Sequence, residues 1–244
     1  MSHKIISLFS GAGGLDIGFE EAGFEIAVAV EADSSCCDTL RRNCPNLIVL
    51  EGNIEDFSSE QILQAAGLKP LEAALVIGGP PCQPFSLAGN RLGLDDPRGH
   101  LLKEFIRVVR ETLPIGFVLE NVRGLLNWDN GSAKELLLEE LSKPIEFNGQ
   151  VYQYKVADPK VLNAVDYGVA QKRERVFFVG NRLGLPFKYP EPSHVPCEQA
   201  MLLNKPQHKN VWDAIGALPH PDEPSETAQR VAQTIKGRIA SHGY

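Results

Sequence analysis

The sequence predicts an α/β fold with a doubly wound, mostly parallel sheet of about seven strands. Short apolar runs rich in valine and isoleucine alternate along the chain with amphipathic segments of helical periodicity. Strands separated by helices are expected to run parallel, because each helix carries the chain back across one face of the sheet. Ligands of such sheets bind beyond the carboxyl ends of the strands, so the residues that follow each strand are the candidates for function.

The first five predicted strands are short apolar runs of the kind buried in parallel sheets: KIISLF, EIAVAVE, NLIVLEG, AALVIGG and IGFVLEN. Helices are predicted between and after them, at about 14–22, 33–43, 59–66, 99–112 and 132–142. Two further strands are predicted in VYQYKVA and RVFFVGN. No full crossover helix joins these two strands, so we expect one of them to run antiparallel at the sheet edge.

The regular alternation ends after Tyr189, which predicts one domain over residues 1–189. The following YPEPSHVP is interpreted as a linker, and VWDAIGALP as one short helix that ends at a proline. The polar tail beyond it offers no core residues. Residues 190–244 are therefore predicted to be a linker and the beginning of a second, incomplete region.

The composition is that of an ordinary globular protein, with 43% hydrophobic and 23% charged residues among 244. No apolar run approaches the roughly 18 residues of a membrane span, and the N-terminus lacks the apolar stretch of a signal peptide. Five irregularly spaced cysteines argue against a disulfide framework. We therefore expect a cytoplasmic protein with reduced thiols and no membrane partner.

The charge is unevenly distributed along the chain. The total of −7 divides into −10 for residues 1–150 and +3 for residues 151–244. Such asymmetry can separate an acidic half from a half that meets polyanions. An uneven surface without a polyanionic partner explains the same numbers, and both interpretations stay open.

A glycine-rich loop, FSGAGGLD, follows the first predicted strand, and Glu31 ends the second one 20 residues beyond Gly11. Glycines allow a ligand to approach the backbone, and an acid at that place can accept hydrogen bonds from both ribose hydroxyls. Asp16 stands where a dinucleotide site has its third glycine, and its charge would repel a pyrophosphate. An adenosine ligand without phosphate, such as S-adenosylmethionine, fits better, and Asn53 could bind its adenine. A simple tight turn with a solvated Glu31 is the alternative.

The fourth predicted strand leads into GGPPCQPFS, in which three prolines and two glycines surround Cys82. Each proline restricts its own backbone conformation and that of the residue before it. The loop could therefore hold a nucleophile at a fixed point. Glu120 ends the fifth predicted strand at the same edge, where it could act as a proton donor. The alternatives are a buried structural thiol and a helix-capping acid.

The densest basic run of the chain, QKRER, leads directly into the strand VFFVG. With a period of two, Gln171, Arg173 and Arg175 would share one face. Guanidinium groups suit phosphate oxygens or the polar edge of a base, although most charge runs are only solvated surface.

These motifs together resemble those of cytosine-C5 DNA methyltransferases. SLFSGAGGLDIGFEEAGF resembles the family's first motif, GGPPCQPFS its catalytic loop, FVLENVRGL its glutamate motif, and DYGVAQKRERVFFVG its Gln-x-Arg-x-Arg motif. Order and spacing agree over residues 4–181. GNIEDF resembles a motif that usually reads Gly-Asp-Ile, and Asn53 in place of the acid keeps an acceptor oxygen but loses the charge.

The resemblance implies the seven-stranded, Rossmann-like fold of S-adenosylmethionine-dependent methyltransferases. It also implies methyl transfer from S-adenosylmethionine to C5 of a cytosine flipped out of double-stranded DNA, with S-adenosylhomocysteine as the product. The Cys82 thiolate would add to C6 of the ring, Glu120 would protonate N3, and Arg173 and Arg175 would hold the base and the loop.

The remaining site residues follow from the same resemblance. The residues implied to contact the substrate are Pro81, Gln83, Ser86, Asn121 and Gln171. The residues implied to line the cofactor pocket are Phe9, Gly11, Gly13, Glu31, Asn53, Ile54, Pro80 and Leu101.

The family continues with a target-recognition domain and a final motif resembling Gln-x-Gly-Asn-(Ser/Ala)-Val, and neither is found in this sequence. We therefore expect a truncated chain or one subunit of a split prokaryotic restriction-modification enzyme, partnered by a complementary polypeptide. An RNA cytosine methyltransferase of the same fold and an inactive cofactor-binding regulatory module stay open. A nicotinamide dehydrogenase would need the missing third glycine. His194 and Cys197 are too few ligands for a zinc site, so no metal is expected.

Overall fold

The computed structural model describes residues 3–81 and 99–218, with the backbone alone for 128–130. Contacts divide the chain into two compact units. Among the described residues, the first comprises 3–81, 99–163 and 173–191, and the second comprises 164–172 and 192–218. A domain boundary at 189/190 stays a prediction. No helix in the described part of the chain is long and apolar enough to cross a membrane.

The first unit is built on a sheet of eight strands in the order β3-β2-β1-β4-β5-β10, with β8 and β9 both paired to β10. The strands β1 to β5 are parallel, and β10 runs antiparallel to β5. Their bounds are β1 Lys4–Leu8, β2 Glu25–Glu31, β3 Ile48–Glu51, β4 Leu75–Gly78, β5 Gly116–Val122, β8 Lys155–Val156, β9 Lys160–Asn163 and β10 Glu174–Asn181. The mostly parallel, doubly wound α/β fold is therefore confirmed.

Helices cover both faces of this sheet. Adjacent strand residues point to opposite sides, so Ile6 lies in one apolar cluster and Ile5 in another. The first cluster takes Ile62 and Phe105 from helices α3 and α4, and the second takes Phe19 from α1. The helix bounds in this unit are α1 Gly14–Glu21, α2 Ser34–Asn43, α3 Ser59–Ala66, α4 His100–Thr112 and α5 Ser132–Ser142.

Three details of the predicted fold are wrong. The main sheet has eight strands instead of seven, and β10 is antiparallel but interior, because β8 and β9 pair along its other edge. VYQYKVA is not one strand: its first part lies in β7 (Gln150–Tyr152), which pairs with β6 (Ile145–Phe147) in a separate hairpin. Asn148 and Gly149, with φ of 51° and 74°, make the two-residue turn of that hairpin.

The second unit contains two short α-helices among its described residues, α6 (Cys197–Leu203) and α7 (Val211–Ile215). The sequence pattern predicts α7 but not α6, which lies within a proline-rich stretch. Both helices expose large apolar side chains: Met201 is 97% exposed, Leu202 83% and Trp212 76%.

Candidate cofactor and catalytic site

A cavity of about 410 Å³ lies at the carboxyl ends of β1 to β4. This volume falls within the usual range for small-molecule sites. Its lining residues are Phe9, Val30, Glu31, Ala32, Gly52, Asn53, Ile54, Gly79, Pro81 and Leu101. Five of the eight predicted cofactor residues are among them. Gly11 and Gly13 lie instead in the loop beside the cavity, and Pro80 is buried in the loop that follows β4.

The loop that follows β1 has an unusual backbone. Phe9, Gly11 and Gly13 all have left-handed φ, of 54°, 55° and 86°. Glycine adopts this region freely, whereas a bulky side chain there is strained, and strain of this kind concentrates at functional sites. A side chain at Gly13 would also place its Cβ 2.9 Å from Leu40 Cδ2. The glycines predicted from the sequence are thus required by the backbone.

Glu31 is held by two backbone N–H groups. Gly11 donates to its Oε2 at 2.7 Å and Asp33 donates to its Oε1 at 2.8 Å. The carboxylate is therefore fixed at the wall of the cavity. A carboxylate can accept about four hydrogen bonds, so it keeps acceptor capacity for the hydroxyls of a ligand.

Asp16 lies in the first turn of α1 and is only 3% exposed. Burial raises its pKa from 3.8 to about 6, against the opposing effect of the hydrogen bond from Ser7. A carboxylate at this helix N-terminus disfavours a phosphate there, as the sequence predicted. The site is better suited to a nucleoside than to a dinucleotide.

Helix α4 holds the part of the cavity wall that Asn53 and Ile54 form. Arg107 on this helix donates to the backbone carbonyls of Ile54 and Phe57, at 3.3 and 3.1 Å. The Asn53 N–H donates to Asp56 Oδ2 at 3.1 Å. The sequence does not reveal the role of Arg107, because no local pattern relates α4 to a turn some 50 residues earlier.

Glu120 lies near the carboxyl end of β5, two residues before Val122, and beside the segment Gly79–Pro81. Its Oε1 lies 2.9 Å from Arg175 Nε, and both side chains are largely buried. A Cβ at Gly79 would lie 2.9 Å from Glu120 Oε2, so any other residue there would require the Glu120 carboxylate to shift. Asn121, predicted as a substrate contact, is buried and donates from Nδ2 to the Pro80 carbonyl at 3.1 Å. The structure thus joins Glu120, Arg175 and the Gly79–Pro81 segment.

The remaining residues predicted to act on the substrate are Arg173, Gln171, Cys82, Gln83 and Ser86. Arg173 is exposed, and its backbone N–H donates to Asn163 Oδ1 at 3.0 Å. Gln171 is exposed and belongs to the second unit. Cys82, Gln83 and Ser86 lie outside the described residues. Within the described ranges, no group of three metal-binding side chains occurs.

Known proteins resemble this chain along nearly its whole length. The sequence model of the C-5 cytosine-specific DNA methylase family matches residues 3–239. The Type II methyltransferase M.AquIA of Picosynechococcus is 57% identical over the full length of both chains. M1.HphI of Haemophilus parahaemolyticus is 41% identical over 90% of this chain, but that match spans only 54% of the relative.

The structural comparison agrees. A protein described as a DNA modification methyltransferase encoded within an E. coli prophage superposes with a TM-score of 0.68 at 30% identity. The match covers 89% of this chain and 56% of that one. The chain thus spans about half the length of M1.HphI and of the prophage protein, and the whole of M.AquIA. With the family match and the full-length relative, the chain belongs to the C-5 cytosine-specific DNA methylase family.

Proposed function

We propose that this chain transfers a methyl group from S-adenosylmethionine to C5 of cytosine in double-stranded DNA. The observation that carries the proposal is that the cavity and Glu120 lie next to each other at one edge of the sheet. Gly79 lines the nucleoside-sized cavity and at the same time lies against Glu120. A methyl donor in that cavity would therefore lie next to the group proposed to activate the cytosine.

The cavity has the chemistry that S-adenosylmethionine requires. The fixed Glu31 carboxylate would accept hydrogen bonds from the ribose hydroxyls, and the apolar side chains of Phe9, Ile54 and Leu101 would pack on the adenosine. Asn53 would bind the adenine edge. When bound, this cofactor supplies an electrophilic methyl group.

The proposed chemistry at the cytosine is covalent catalysis. The flipped base receives the Cys82 thiolate at C6 while Glu120 donates a proton to N3, so the ring electrons become available at C5. Methylation of C5 releases S-adenosylhomocysteine. Water then removes the C5 proton, the electrons of that C–H bond form the C5–C6 double bond, the Cys82 thiolate leaves C6, and the N3 proton returns to Glu120. Arg175, paired with Glu120, and Arg173 would hold the base and the loop.

The loop contacts support this assignment. Cys82 directly follows Pro81, and the backbone before it is fixed at Pro80 by Asn121 and packed at Gly79 against Glu120. A nucleophile that directly follows a fixed segment needs little ordering at the moment of reaction. Gln83, Ser86, Pro81 and Gln171 are proposed to contact the nucleotide.

A complementary polypeptide with a target-recognition domain stays a prediction. Helices α6 and α7 expose apolar side chains, and such surface often marks an interaction site, but this exposure does not identify a partner. Residues 190–244 would then form the approach to that domain.

Trapping on modified DNA tests the proposed chemistry. Duplex DNA with 5-fluorocytosine should form a stable adduct with Cys82 once S-adenosylmethionine and a polypeptide carrying the predicted recognition domain are both supplied, because fluorine cannot leave as a proton does. The Cys82→Ser variant should form none, whereas the exposed Cys197→Ser control should behave as the wild type. An adduct mapped by mass spectrometry to Cys36, Cys44 or Cys197 would refute the assignment.

A further inference from the structure

Three buried polar side chains form a chain of hydrogen bonds beneath the first loop. Ser7 on β1, Ser10 in the loop and Asp16 on α1 are 1%, 8% and 3% exposed. The Ser7 hydroxyl donates to Asp16 Oδ1 at 2.5 Å, and the hydroxyl oxygens of Ser7 and Ser10 are 2.8 Å apart. None of the three lines the cofactor cavity.

The direction of this chain follows from counting protons. A hydroxyl group has one proton to donate. Ser7 gives its proton to Asp16, so the contact between the two serines requires Ser10 to donate to Ser7. The Asp16 carboxylate is thus the final acceptor, and it fixes the orientation of both hydroxyls.

Burying the Asp16 carboxylate at this position costs free energy. Its Oδ2 is buried without a hydrogen-bond partner among the described residues, and burial opposes its charge. The neighbouring charged group, Glu20 on the same helix, opposes it further, and Cys44 after α2 also interacts with it. A buried unsatisfied group in a native protein calls for an explanation, and strained or perturbed groups concentrate at functional sites.

Ser10 connects this chain to the cofactor cavity. It stands between Phe9 and Gly11, both with left-handed φ, and its carbonyl accepts from the Gly13 N–H at 3.0 Å. Phe9 lines the cavity, and the Gly11 N–H holds Glu31. A side chain anchored at Ser10 therefore restrains the two neighbours that shape the cavity wall.

We propose that Asp16 is a positioning residue for the nucleoside cofactor. Acting through Ser7 and Ser10, it holds the loop of residues 9–13 in the conformation in which Phe9 forms the cavity wall and Gly11 fixes Glu31. Asp16 does not itself touch the cofactor. The inference about affinity rests on the proposed function, whereas the inference about the loop does not.

The test compares Asp16→Ala, Asp16→Asn and Ser10→Ala by two readouts. Calorimetry measures the affinity for S-adenosylhomocysteine, and hydrogen exchange measures protection of the amides of residues 9–13 without ligand. Asp16→Ala should weaken binding about tenfold, the scale of one lost hydrogen bond to a charged group, and should speed exchange in the loop. Asp16→Asn keeps an oxygen that accepts from Ser7, so it should bind within about threefold of the wild type.

Thr112→Val is the matched structural control. Thr112 is fully buried on α4, and its hydroxyl donates to the Val108 carbonyl at 2.7 Å, on an element that supplies none of the first loop. The variant should lose stability without changing either readout. The double variant Asp16→Ala/Ser10→Ala should be no weaker in binding than Asp16→Ala alone, because both changes break one chain.

The proposal would be overturned if the amides of residues 9–13 exchanged at the wild-type rate in both Asp16→Ala and Ser10→Ala. Additive losses of binding free energy in the double variant would also overturn it. Failure of the wild type to bind S-adenosylhomocysteine would refute the proposed cofactor instead. In that case the exchange measurement alone decides whether Asp16 positions the loop.

Discussion

Glu120 and Gly79 form the contact between the two halves of the site. The sequence located Glu120 at the end of a strand, because a strand is recognisable by its apolar run. It could not reveal that Arg175 is the partner of Glu120, since that pairing depends on β10 lying next to β5. Nor could it show that the Gly79 backbone packs against the carboxylate.

Gly79→Ala tests this contact at the scale of one methyl group. The added carbon would lie 2.9 Å from Glu120 Oε2, so either the loop or the carboxylate must move. The ion pair with Arg175 restrains the Glu120 side chain, so moving its carboxylate should cost about 1 kcal/mol of unfolding free energy, the lower end of the range for overpacking. Gly124→Ala is the control, because a Cβ there meets nothing within 4 Å. Urea denaturation should show the loss for Gly79→Ala alone, and equal stability of the two variants would contradict the contact.

Asp16→Asn makes a prediction about pH and stability. The pKa of Asp16 is raised to about 6 in the folded state, above its ordinary 3.8. Its stabilising contribution is therefore fully present below pH 3.8 and is lost as the pH rises through about 6. Asparagine does not titrate, so the variant should gain about 3 kcal/mol relative to the wild type between pH 4 and pH 8. Urea denaturation across this range measures it, and a constant difference would contradict the burial of the charge.

At the scale of elements, the helices α1 to α5 were predictable to within about a residue at each end. Their apolar periodicity and flanking strands define them locally. The short elements were not predictable in this way. Helix α6 has only seven residues. The hairpin β6–β7 was missed, although Asn148-Gly149 is a typical hairpin turn. Where the pattern extends over only a few residues, tertiary contacts decide the structure.

Helix α4 makes one such long-range contribution through Arg107. Its guanidinium donates to two carbonyls and to Ser59 Oγ, and pairs with Glu104 at 2.7 Å. Arg107→Met keeps the aliphatic stem but removes every donor. We expect a loss of about 1–3 kcal/mol in unfolding free energy and weaker binding of S-adenosylhomocysteine, because the turn at Ile54 loses its support.

Arg42→Met on the exposed surface of α2 is the matched control for this change. Thermal unfolding and calorimetry should find it close to the wild type. An Arg107→Met variant with wild-type affinity would show that α4 does not position the cavity wall.

At the scale of the whole molecule, charge opposes association with DNA. The chain carries −7 overall, and its basic excess lies in residues 151–244. Base readout requires side chains in the grooves, which we assign to the predicted recognition domain. We therefore expect this chain alone to bind mixed-sequence duplex DNA weakly and to methylate it negligibly.

Fluorescence anisotropy over a series of salt concentrations checks this expectation. The affinity should fall steeply as salt rises, because phosphate contacts release counterions. Tritium transfer from labelled S-adenosylmethionine should appear at a defined site once the recognition domain is supplied. Robust site-specific methylation by the purified chain alone would refute the predicted need for a partner.

Calorimetric titration with S-adenosylhomocysteine tests the central claim, that the cavity at the carboxyl ends of the strands is the methyl-donor site. The wild type should bind one equivalent in preference to NAD. Glu31→Ala should weaken binding by about 1–3 kcal/mol, the scale of a lost hydrogen bond to a charged group. Preferential binding of NAD, or an affinity unchanged by Glu31→Ala, would show that this cavity is not the methyl-donor site.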